Sequence, residues 1–363
     1  MSYLHGKEEF FDTELVSPSD LKKILYLPKE DLQLIEHARA AISNALNGIS
    51  DRLLVIVGPC SIHDTAAALQ YAEYLSLLRG RLSRDLEIVM RVYFEKPRTR
   101  LGWKGLINDP HLDDTCDIAA GLHTARKLLL DIAAIGLPVA TEFLDVTSHH
   151  YLSDLVSWGA IGARTTESQI HREMASGLPC PIGFKNGTDG GIKVAVDAIL
   201  ASSRPHHFLG IAQDGRYVRR RTPGNQSGHL VLRGGPTPNY DEQSVATACS
   251  MLSANGLTPR VVVDASHGNS GKQHENQLSV CDELSSRIAR GDAQIAGIMI
   301  ESNLVAGSQT LKPGKALVYG QSVTDSCIGW QETSLILQRL AFDVRRRRKL
   351  LAGASQPLQV QFG

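Results

Sequence analysis

The chain has 363 residues, of which 42% are hydrophobic and 21% are charged, a balance typical of folded globular proteins and unlike that of disordered or fibrous chains. Its 38 basic and 38 acidic side chains cancel, so no overall charge favours nucleic acid or an anionic membrane, and we expect neither as a partner. The length exceeds the roughly 250 to 300 residues at which one core stops growing, which predicts two domains or a large barrel with extensions.

The sequence shows no sign of a targeting segment or a membrane span. Its first residues lack the basic and then apolar order of a signal peptide, and no apolar run approaches the roughly 18 residues that cross a bilayer. The six cysteines have no paired spacing, which favours free thiols over a secreted disulfide framework. We therefore expect a cytoplasmic protein.

The first predicted element is an N-terminal arm, residues 1–50, that contains a helix. Apolar residues recur at nearly helical spacing from Leu32 to Leu46, and Gly48 follows as a stop signal. The arm is predicted to precede a main domain at residues 51–348.

Eight short β-branched runs follow the arm, and stretches of helical character separate them. This alternation predicts parallel strands joined by crossover helices. The runs are 53–60, 86–92, 138–143, 158–164, 181–186, 229–235, 260–268 and 296–302. Eight such units predict a (β/α)8 TIM barrel of the α/β class, and a doubly wound sheet is the alternative.

An insertion lies between the fifth and sixth runs. The segments FLGIA and RYVRRRT flank the turn-like residues Gln213, Asp214 and Gly215. This pattern predicts an inserted β-hairpin at about residues 208–224.

The C-terminal part of the chain contains the basic run RRRRK at residues 345–349. We interpret this run as the solvated end of a helix, where the macrodipole favours cations. The sequence indicates no role for the tail, residues 349–363.

Nearly every predicted strand ends in a side chain that can bind an anion, a metal or a proton. In a barrel the carboxyl ends of the strands converge on one mouth, so we expect these side chains to meet there. They are Cys60, Arg91, Glu142, Arg164, Lys185, Arg233, His267 and Glu301.

Two groups of side chains point to different chemistry at this mouth. One is a set of cations that would repel each other unless an anion held them together, and it suits a substrate with phosphate and carboxylate groups. These cations are Arg91, Lys96, Arg98, Arg164, Lys185 and Arg233. The other group, Cys60, His267 and Glu301 with Asp325 in a later loop, is a candidate metal site whose mixed ligands do not identify one metal.

Eight sequence blocks carry a specific resemblance to one family. They are GPCSIHD (58–64), MRVYFEKPRT (90–99), GWKGLINDP (102–110), GARTTESQ (162–169), GFKNGTDG (183–190), LRGG (232–235), DASHGNS (264–270) and SVTDSCIGW (322–330). On these blocks the chain resembles the short-chain type I 3-deoxy-D-arabino-heptulosonate 7-phosphate (DAHP) synthases over most of residues 10–345. The resemblance implies a TIM barrel with an N-terminal extension and a small inserted sheet, in agreement with the elements predicted above.

The resemblance also implies an activity. The family condenses phosphoenolpyruvate with erythrose 4-phosphate and water to give DAHP and phosphate, at the entry to the shikimate pathway. It implies one divalent metal ion, Mn, Fe, Co or Zn, bound by Cys60, His267, Glu301 and Asp325. The metal would polarise the aldehyde, with Cys60 and His267 therefore part of the catalytic set.

Substrate contacts are implied in the same way. The phosphoenolpyruvate site would consist of Arg91, Lys96, Arg164, Lys185 and Arg233. Arg98 and Thr99 would contact erythrose 4-phosphate. Glu142 or Lys96 would manage a proton, and the sequence does not assign that role between them.

Regulation and assembly follow from the resemblance alone. Members are commonly inhibited by Phe, Tyr or Trp at a site built from the arm, the hairpin and a neighbouring subunit, which implies an effector site and a homodimer or homotetramer. The chain departs from familiar members at Pro179, at Arg100 and in the arginine-rich hairpin, so the sequence does not identify the effector.

Two alternative functions remain at this stage. One is a related 3-deoxy-octulosonate 8-phosphate synthase, which would use arabinose 5-phosphate, although the KPRT block favours the shorter sugar. The other is a catalytically silent barrel that binds an aromatic amino acid or a pathway partner, against which the intact candidate metal ligands argue.

Overall fold

The computed structural model describes residues 12–312 and 314–354. Two helices, α1 (Pro18–Ile24) and α2 (Lys29–Leu46), precede the first strand. Helix α1 begins with proline at its first position, and the Ser17 hydroxyl accepts a hydrogen bond from the Asp20 N–H, which caps an otherwise unpaired donor. The predicted helix between Leu32 and Leu46 is confirmed as α2.

Twelve strands follow in the described part of the chain. They are β1 (Leu53–Gly58), β2 (Leu86–Arg91), β3 (Val139–Glu142), β4 (Trp158–Ile161), β5 (Ile182–Lys185), β6 (His207–Ile211), β7 (Tyr217–Arg221), β8 (Gly228–Leu232), β9 (Val261–Asp264), β10 (Ile295–Glu301), β11 (Val305–Ser308) and β12 (Gln321–Ser322).

A helix follows each of the eight strands that correspond to the predicted runs. These helices are α3 (Thr65–Leu82), α4 (Ile118–Ala134), α5 (His149–Leu152, continued by a 3-10 turn at Ser153–Leu155), α6 (Gln169–Ala175), α7 (Lys193–Ser202), α8 (Glu242–Ala254), α9 (Asn276–Ala289) and α10 (Trp330–Ala354).

Eight parallel strands close into a barrel in the order β1, β10, β9, β8, β5, β4, β3, β2 and back to β1. The barrel closes between the first and last strands, where Leu54 pairs with Gly297 and Gly58 pairs with Glu301. This closed barrel confirms the predicted TIM barrel and excludes the doubly wound sheet. All eight predicted runs contain a barrel strand, and each strand ends before the predicted boundary.

Helix α2 covers the amino ends of the barrel strands. Its Ile42 and Leu46 belong to the same buried cluster as Leu54 and Trp158 of the barrel. Arg39 of α2 donates to the Val156 carbonyl, two residues before β4. The helix therefore closes one end of the barrel and leaves the carboxyl ends of the strands as the accessible mouth.

Two small sheets lie outside the barrel. Strands β6 and β7 form an antiparallel hairpin in which His207 pairs with Arg221 and Ile211 pairs with Tyr217, where the sequence predicts an inserted hairpin. Strands β11 and β12 form a two-stranded parallel sheet between β10 and α10, which the sequence did not predict because both strands are very short. No helix in the described ranges is long and apolar enough to cross a membrane.

In contrast to the sequence interpretation, the side chains of the basic run at residues 345–349 of α10 are not all solvated. Arg347 is buried and donates to the Asp51 carbonyl, and Arg348 bonds the carboxylates of Asp51 and Asp85. The run is therefore not simply a solvated helix end, because these two arginines attach α10 to residues just before β1 and β2.

Candidate active site

A cavity of about 180 Å³ opens at the carboxyl ends of the barrel strands. Eight of the predicted site residues line it: Lys96, Arg98, Glu142, Arg164, Lys185, Arg233, His267 and Asp325. They come from segments far apart in the chain, and the closure of the barrel brings them together. Arg91, Cys60 and Glu301 are fully buried beneath the lining.

Three candidate metal ligands form a compact cluster. One ligand atom from each of Cys60, Glu301 and Asp325 lies within 4.8 Å of the other two. The fourth candidate, His267, places its Nε2 atom 3.9 Å from Glu301 Oε1, at the side of this cluster. A thiol, two carboxylates and an imidazole suit a divalent ion of borderline softness, so these residues fit the implied metal without selecting one.

The Cys60 thiol lies near both a cation, Lys96, and an anion, Glu301. Lys96 Nζ lies 3.0 Å from the Cys60 Sγ atom and 3.0 Å from its carbonyl oxygen. Burial and the charge of Glu301 raise the pKa of the Cys60 thiol to about 11, and Lys96 opposes the increase. A bound cation would favour the thiolate, because a metal ligand must be deprotonated.

Glu301 is held ionised at the end of β10. Burial alone would raise its pKa, but His267 and Arg91 lower the pKa to about 2. Arg91 Nη2 donates to Glu301 Oε1 at 3.0 Å, and the Ser266 hydroxyl donates to Oε2 at 2.8 Å. These contacts orient the carboxylate before any ligand binds.

Asp264 is a further candidate site residue, which the sequence analysis missed. Its carboxylate is fully buried, Lys185 Nζ donates to its Oδ2 atom at 3.0 Å, and the Ser266 N–H donates to Oδ1 at 3.0 Å. His267 Nδ1 lies 2.9 Å from the same Oδ2 atom, an ion-pair contact in which the ring N–H is not aligned for a hydrogen bond. Burial opposes ionisation of Asp264, yet His267 and Lys185 keep its pKa well below the usual value.

The signal for Asp264 was present in the sequence. The sequence pattern predicts one strand over 260–268 with His267 as its terminal functional side chain, whereas β9 ends at Asp264 and His267 lies in the following turn with φ of +53°. A strand ending at residue 264 would have placed Asp264 at the mouth together with the other terminal side chains.

The outer cations of the site are less constrained than the buried ones. Arg164 is exposed and its Nη1 atom donates to the Pro97 carbonyl at 2.8 Å. Arg98 is exposed and donates to the Trp103 carbonyl at 2.7 Å. Arg233 is half-buried, and its Nη1 atom lies 3.5 Å from the Gly234 carbonyl. Because these guanidinium groups contact carbonyls rather than carboxylates, they retain positive charge for an anionic ligand.

Glycine backbone shapes two walls of the site. A Cβ atom at Gly162 would lie 2.3 Å from Glu142 Oε1, so the absence of a side chain leaves room for this buried carboxyl. Gly105 has φ of +114° and a Cβ there would lie 2.0 Å from the Phe94 carbonyl. This close approach lets the loop fold back, and Lys96 N–H donates to the Lys104 carbonyl at 2.9 Å.

Two polar atoms beneath the cavity lack hydrogen-bond partners among the described residues. They are Arg91 Nε and the Tyr93 hydroxyl, and both are buried. The Arg91 guanidinium also stacks 4.0 Å from the centre of the Tyr93 ring. Buried polar groups are normally paired, so these atoms are consistent with a site completed by a ligand or water.

Three predicted positions lie apart from these contacts. Thr99 and Arg100 are exposed beyond Arg98 and do not line the cavity. Pro179 precedes β5, on the amino side of the barrel, and lines a separate cavity of about 250 Å³ beside Arg39. The tail at 349–363 lies mostly outside the described residues.

Comparison with known proteins is consistent with this geometry. Residues 31–338 match the model of the DAHP synthetase I family. The chain is 54% identical over 335 residues to the Phe-sensitive phospho-2-dehydro-3-deoxyheptonate aldolase of Escherichia coli K12, covering 92% of this chain and 96% of the relative. It is 50% identical over 333 residues to the Trp-sensitive enzyme of Shigella flexneri, with the same coverage.

A solved structure gives the same result for the fold. The phospho-2-dehydro-3-deoxyheptonate aldolase from Francisella tularensis SCHU S4 superposes with a TM-score of 0.91 at 47% identity. The match covers 93% of this chain and 99% of that one. The chain therefore belongs to the DAHP synthetase I family.

Proposed function

We propose that the cation-lined cavity and the Cys60 cluster form the active site of a DAHP synthase. The enzyme condenses phosphoenolpyruvate with erythrose 4-phosphate and water, and it releases DAHP and phosphate in the first step of the shikimate pathway. The observation that carries the site assignment is the meeting of a candidate metal cluster and a ring of cations in one cavity. Two phosphorylated substrates would require both.

The metal-binding role falls to Cys60, His267, Glu301 and Asp325. A divalent ion there, Mn, Fe, Co or Zn, would supply Lewis acidity toward the aldehyde oxygen of erythrose 4-phosphate. The protein's part is to hold these side chains close together and to keep Glu301 ionised, which the contact with Arg91 supports.

Phosphoenolpyruvate binding is assigned to Arg91, Lys96, Arg164, Lys185 and Arg233. Arg164 is exposed and Arg233 is half-buried at the cavity, which leaves both guanidinium groups accessible to an anion, and the guanidinium fork suits phosphate and carboxylate oxygens. Arg91 lies beneath the cavity. Its Nη2 atom donates to Glu301, and its Nε atom has no hydrogen-bond partner among the described residues. With phosphoenolpyruvate held in this way, its C3 bonds to the aldehyde carbon and the aldehyde oxygen takes up a proton. Water then adds to C2 and gives up a proton, and the bond from C2 to the phosphate oxygen breaks to release phosphate.

Proton transfer is assigned to Lys96 or Glu142. Burial would lower the pKa of Lys96, but Cys60 and Glu301 raise it above its ordinary value, so the ammonium holds a proton at Nζ beside the Cys60 cluster. Glu142 presents a buried carboxyl to the same cavity. Arg98 and Thr99 are assigned to the erythrose phosphate, and Arg98 is the better supported because it lines the cavity.

Feedback inhibition by an aromatic amino acid is part of the proposal. The printed names of relatives include Phe-sensitive and Trp-sensitive enzymes. Near the hairpin, Arg220 Nε and His149 Nδ1 are buried and lack hydrogen-bond partners within the described residues. Burial, with His150 and Arg220, lowers the pKa of His149 to about 3. A ligand carboxylate would satisfy the guanidinium, which supports an effector site between hairpin and α5.

Assembly and location complete the proposal. We place the enzyme in the cytoplasm as a homodimer or homotetramer. Its six cysteines are free, as expected in a reducing compartment.

The test is consumption of phosphoenolpyruvate by the purified full-length chain with erythrose 4-phosphate. Activity should disappear with a chelator, return with Mn2+, and fall when the effector among Phe, Tyr and Trp is added separately. Cys60→Ala should lower turnover by at least about 100-fold, since loss of even an outer partner of a metal ligand costs about 10- to 100-fold. Cys116→Ala, which removes an exposed thiol, is the matched control.

Two outcomes would contradict the assignment. Full activity of Cys60→Ala would remove Cys60 from the site. No consumption by folded protein with any of the four metals would contradict the synthase, and turnover with arabinose 5-phosphate instead would identify the related octulosonate synthase.

A further inference from the structure

One carboxylate oxygen at the barrel mouth lies between a candidate metal ligand and a candidate substrate-binding cation. Oδ2 of Asp264 is 3.0 Å from Lys185 Nζ and 2.9 Å from His267 Nδ1. Lys185 is at the end of β5 and Asp264 at the end of β9, so only β8 separates their strands in the barrel. The contact is thus a product of barrel closure between residues 79 apart in sequence.

The position of Asp264 is rigid. Its side chain is fully buried, and its second oxygen, Oδ1, accepts the Ser266 N–H at 3.0 Å. The Asp264 carbonyl accepts a hydrogen bond from Asn269 Nδ2 at 2.8 Å. Hydrogen bonds hold both carboxylate oxygens and the backbone carbonyl of Asp264. The carboxylate therefore fixes the positions of the side chains that contact it.

The contact with His267 selects between the two ring nitrogens. Asp264 faces Nδ1, whereas Nε2 faces Glu301 and the candidate metal cluster. A carboxylate beside Nδ1 favours the tautomer with hydrogen on that nitrogen, which leaves the lone pair on Nε2 for a metal. His267 has φ of +53°, a costly conformation for a residue with a side chain, and the contact with Asp264 helps to offset this cost.

Asp264 also holds the ammonium group of Lys185, a candidate phosphoenolpyruvate-binding residue. Lys185 is 3% exposed, and Asp264 is the carboxylate with which its ammonium forms an ion pair in the described structure. The lysine still lines the cavity, so an anionic ligand would compete with Asp264 for the ammonium. When that ligand draws Lys185 away, Oδ2 is left to His267 alone.

We propose that Asp264 is a positioning residue that couples the metal site to the phosphoenolpyruvate site through its Oδ2 atom. This inference rests on the proposed function. It requires phosphoenolpyruvate binding to strengthen metal binding, and the reverse to the same degree, because coupling between two ligands is reciprocal. The direction follows from Oδ2, which polarises His267 more strongly when Lys185 has turned toward the substrate.

The primary experiment measures Mn2+ affinity from the electron paramagnetic resonance signal of free Mn2+, without turnover, in the presence and absence of phosphoenolpyruvate. We expect Asp264→Asn to weaken Mn2+ binding by about 10- to 100-fold and to abolish its enhancement by phosphoenolpyruvate. Asp343→Asn is the matched control, because Asp343 is equally buried but bonds Ser285 and Arg339 away from the mouth. The control should retain wild-type affinity and enhancement.

A second pair of variants covers the case in which Asp264→Asn does not fold. Lys185→Met removes the ammonium that shares Oδ2, and Arg233→Met removes a cation of the same cavity that does not contact Asp264. At saturating phosphoenolpyruvate, Lys185→Met should lose the enhancement of Mn2+ binding, whereas Arg233→Met should keep it. Equal enhancement in the two variants would overturn the proposal.

A spectroscopic measurement separates positioning from a merely structural role. In the metal-free wild type, the 15N resonances of the His267 ring should show hydrogen on Nδ1, and in Asp264→Asn they should shift toward a mixture of tautomers. His267→Asn assigns these resonances. Unchanged shifts in a folded Asp264→Asn variant would contradict the proposal.

The proposed function can fail independently of this inference. Wild-type protein that lacks synthase activity but shows the tautomer preference and its loss in Asp264→Asn would refute the function and retain the positioning role. Active wild-type protein with unaltered Mn2+ affinity in Asp264→Asn would refute the positioning role and retain the function.

Discussion

At the residue scale, Glu95 is a carboxyl group in an unfavourable environment beside the active site. It immediately precedes Lys96, is 6% exposed, and accepts a hydrogen bond from the Ser148 hydroxyl at 3.0 Å. Burial, and then the charge of Asp145, raise its pKa to about 7. The folded protein therefore binds a proton at Glu95 that an unfolded chain would release near pH 4.5.

This difference predicts a pH dependence of stability. The folded-state pKa is higher than the unfolded one, so the contribution of Glu95 is greatest below about pH 4.5 and is lost as the pH rises through 7, by up to about 3 kcal/mol. Glu95→Gln keeps the hydrogen-bonding shape without a titrating proton. We expect its thermal midpoint to exceed that of the wild type increasingly from pH 5 to pH 8.

The control for this prediction is Glu283→Gln, a change at an exposed position of α9. Its thermal midpoint should follow the wild type across the same pH range. If the difference in thermal midpoint between Glu95→Gln and the wild type stays constant from pH 5 to pH 8, Glu95 does not titrate in that range.

At the element scale, α10 is attached to the barrel by its basic end. Arg348 Nη2 donates to Asp51 Oδ1 at 2.9 Å and to the Arg84 carbonyl at 2.8 Å, and the same guanidinium pairs with Asp85. Asp85 is almost fully buried, so its carboxylate depends on its arginine partners. The barrel closes between β1 and β10, and α10 follows β10 in the chain. These bonds therefore join the first and last parts of the barrel fold.

Removing this attachment should destabilise the protein. We expect Arg348→Ala to reduce the free energy of unfolding by about 1 to 3 kcal/mol, because it leaves a buried carboxylate with fewer partners. Lys349→Ala on the same helix should change it by less than about 0.5 kcal/mol, since Lys349 lies at the exposed surface of α10. The measurement is the thermal midpoint of each variant relative to the wild type. Equal midpoints for the two variants would contradict the predicted role of Arg348.

At the scale of the whole molecule, the outer face of the hairpin exposes large apolar side chains. Leu209 is 76% exposed and Tyr217 is 77% exposed. Strand alternation places them on the face that carries Arg219 and Arg221, opposite the face of Arg220. The apolar groups on an inserted element support the proposal that the hairpin takes part in a homo-oligomer.

Light scattering after size exclusion tests this proposal. We expect the wild type to have the mass of a dimer or tetramer and Leu209→Lys to shift it toward the 39.5 kDa monomer, since the added charge would lie in an apolar contact. Leu77→Lys, at a position of α3 that is 68% exposed, should leave the mass unchanged. A wild-type monomer would contradict both the oligomer and an effector site shared between subunits.

Much of the architecture and of the candidate site could be predicted from local sequence patterns. The alternation of β-branched runs with helical stretches indicated eight strands, because parallel strands buried on both faces require apolar side chains. The charged residues that follow these runs marked the mouth, since the ends of parallel strands meet in space. Cys60 and Glu301 could be identified as neighbours in this way although they are 241 positions apart.

Other features depended on the tertiary structure. The end of β9 is set by its ladder with β8 and β10, and only that boundary places Asp264 at the mouth and His267 in the turn. The arginines of the α10 basic run have no local signal for Asp51 and Asp85, because these partners are roughly 260 to 300 residues away and approach only when the barrel closes. By itself, the sequence determined the elements and the types of functional side chain, because these follow from local pattern. Barrel closure decided which carboxylate meets which cation, because such contacts depend on distances between residues remote in the chain.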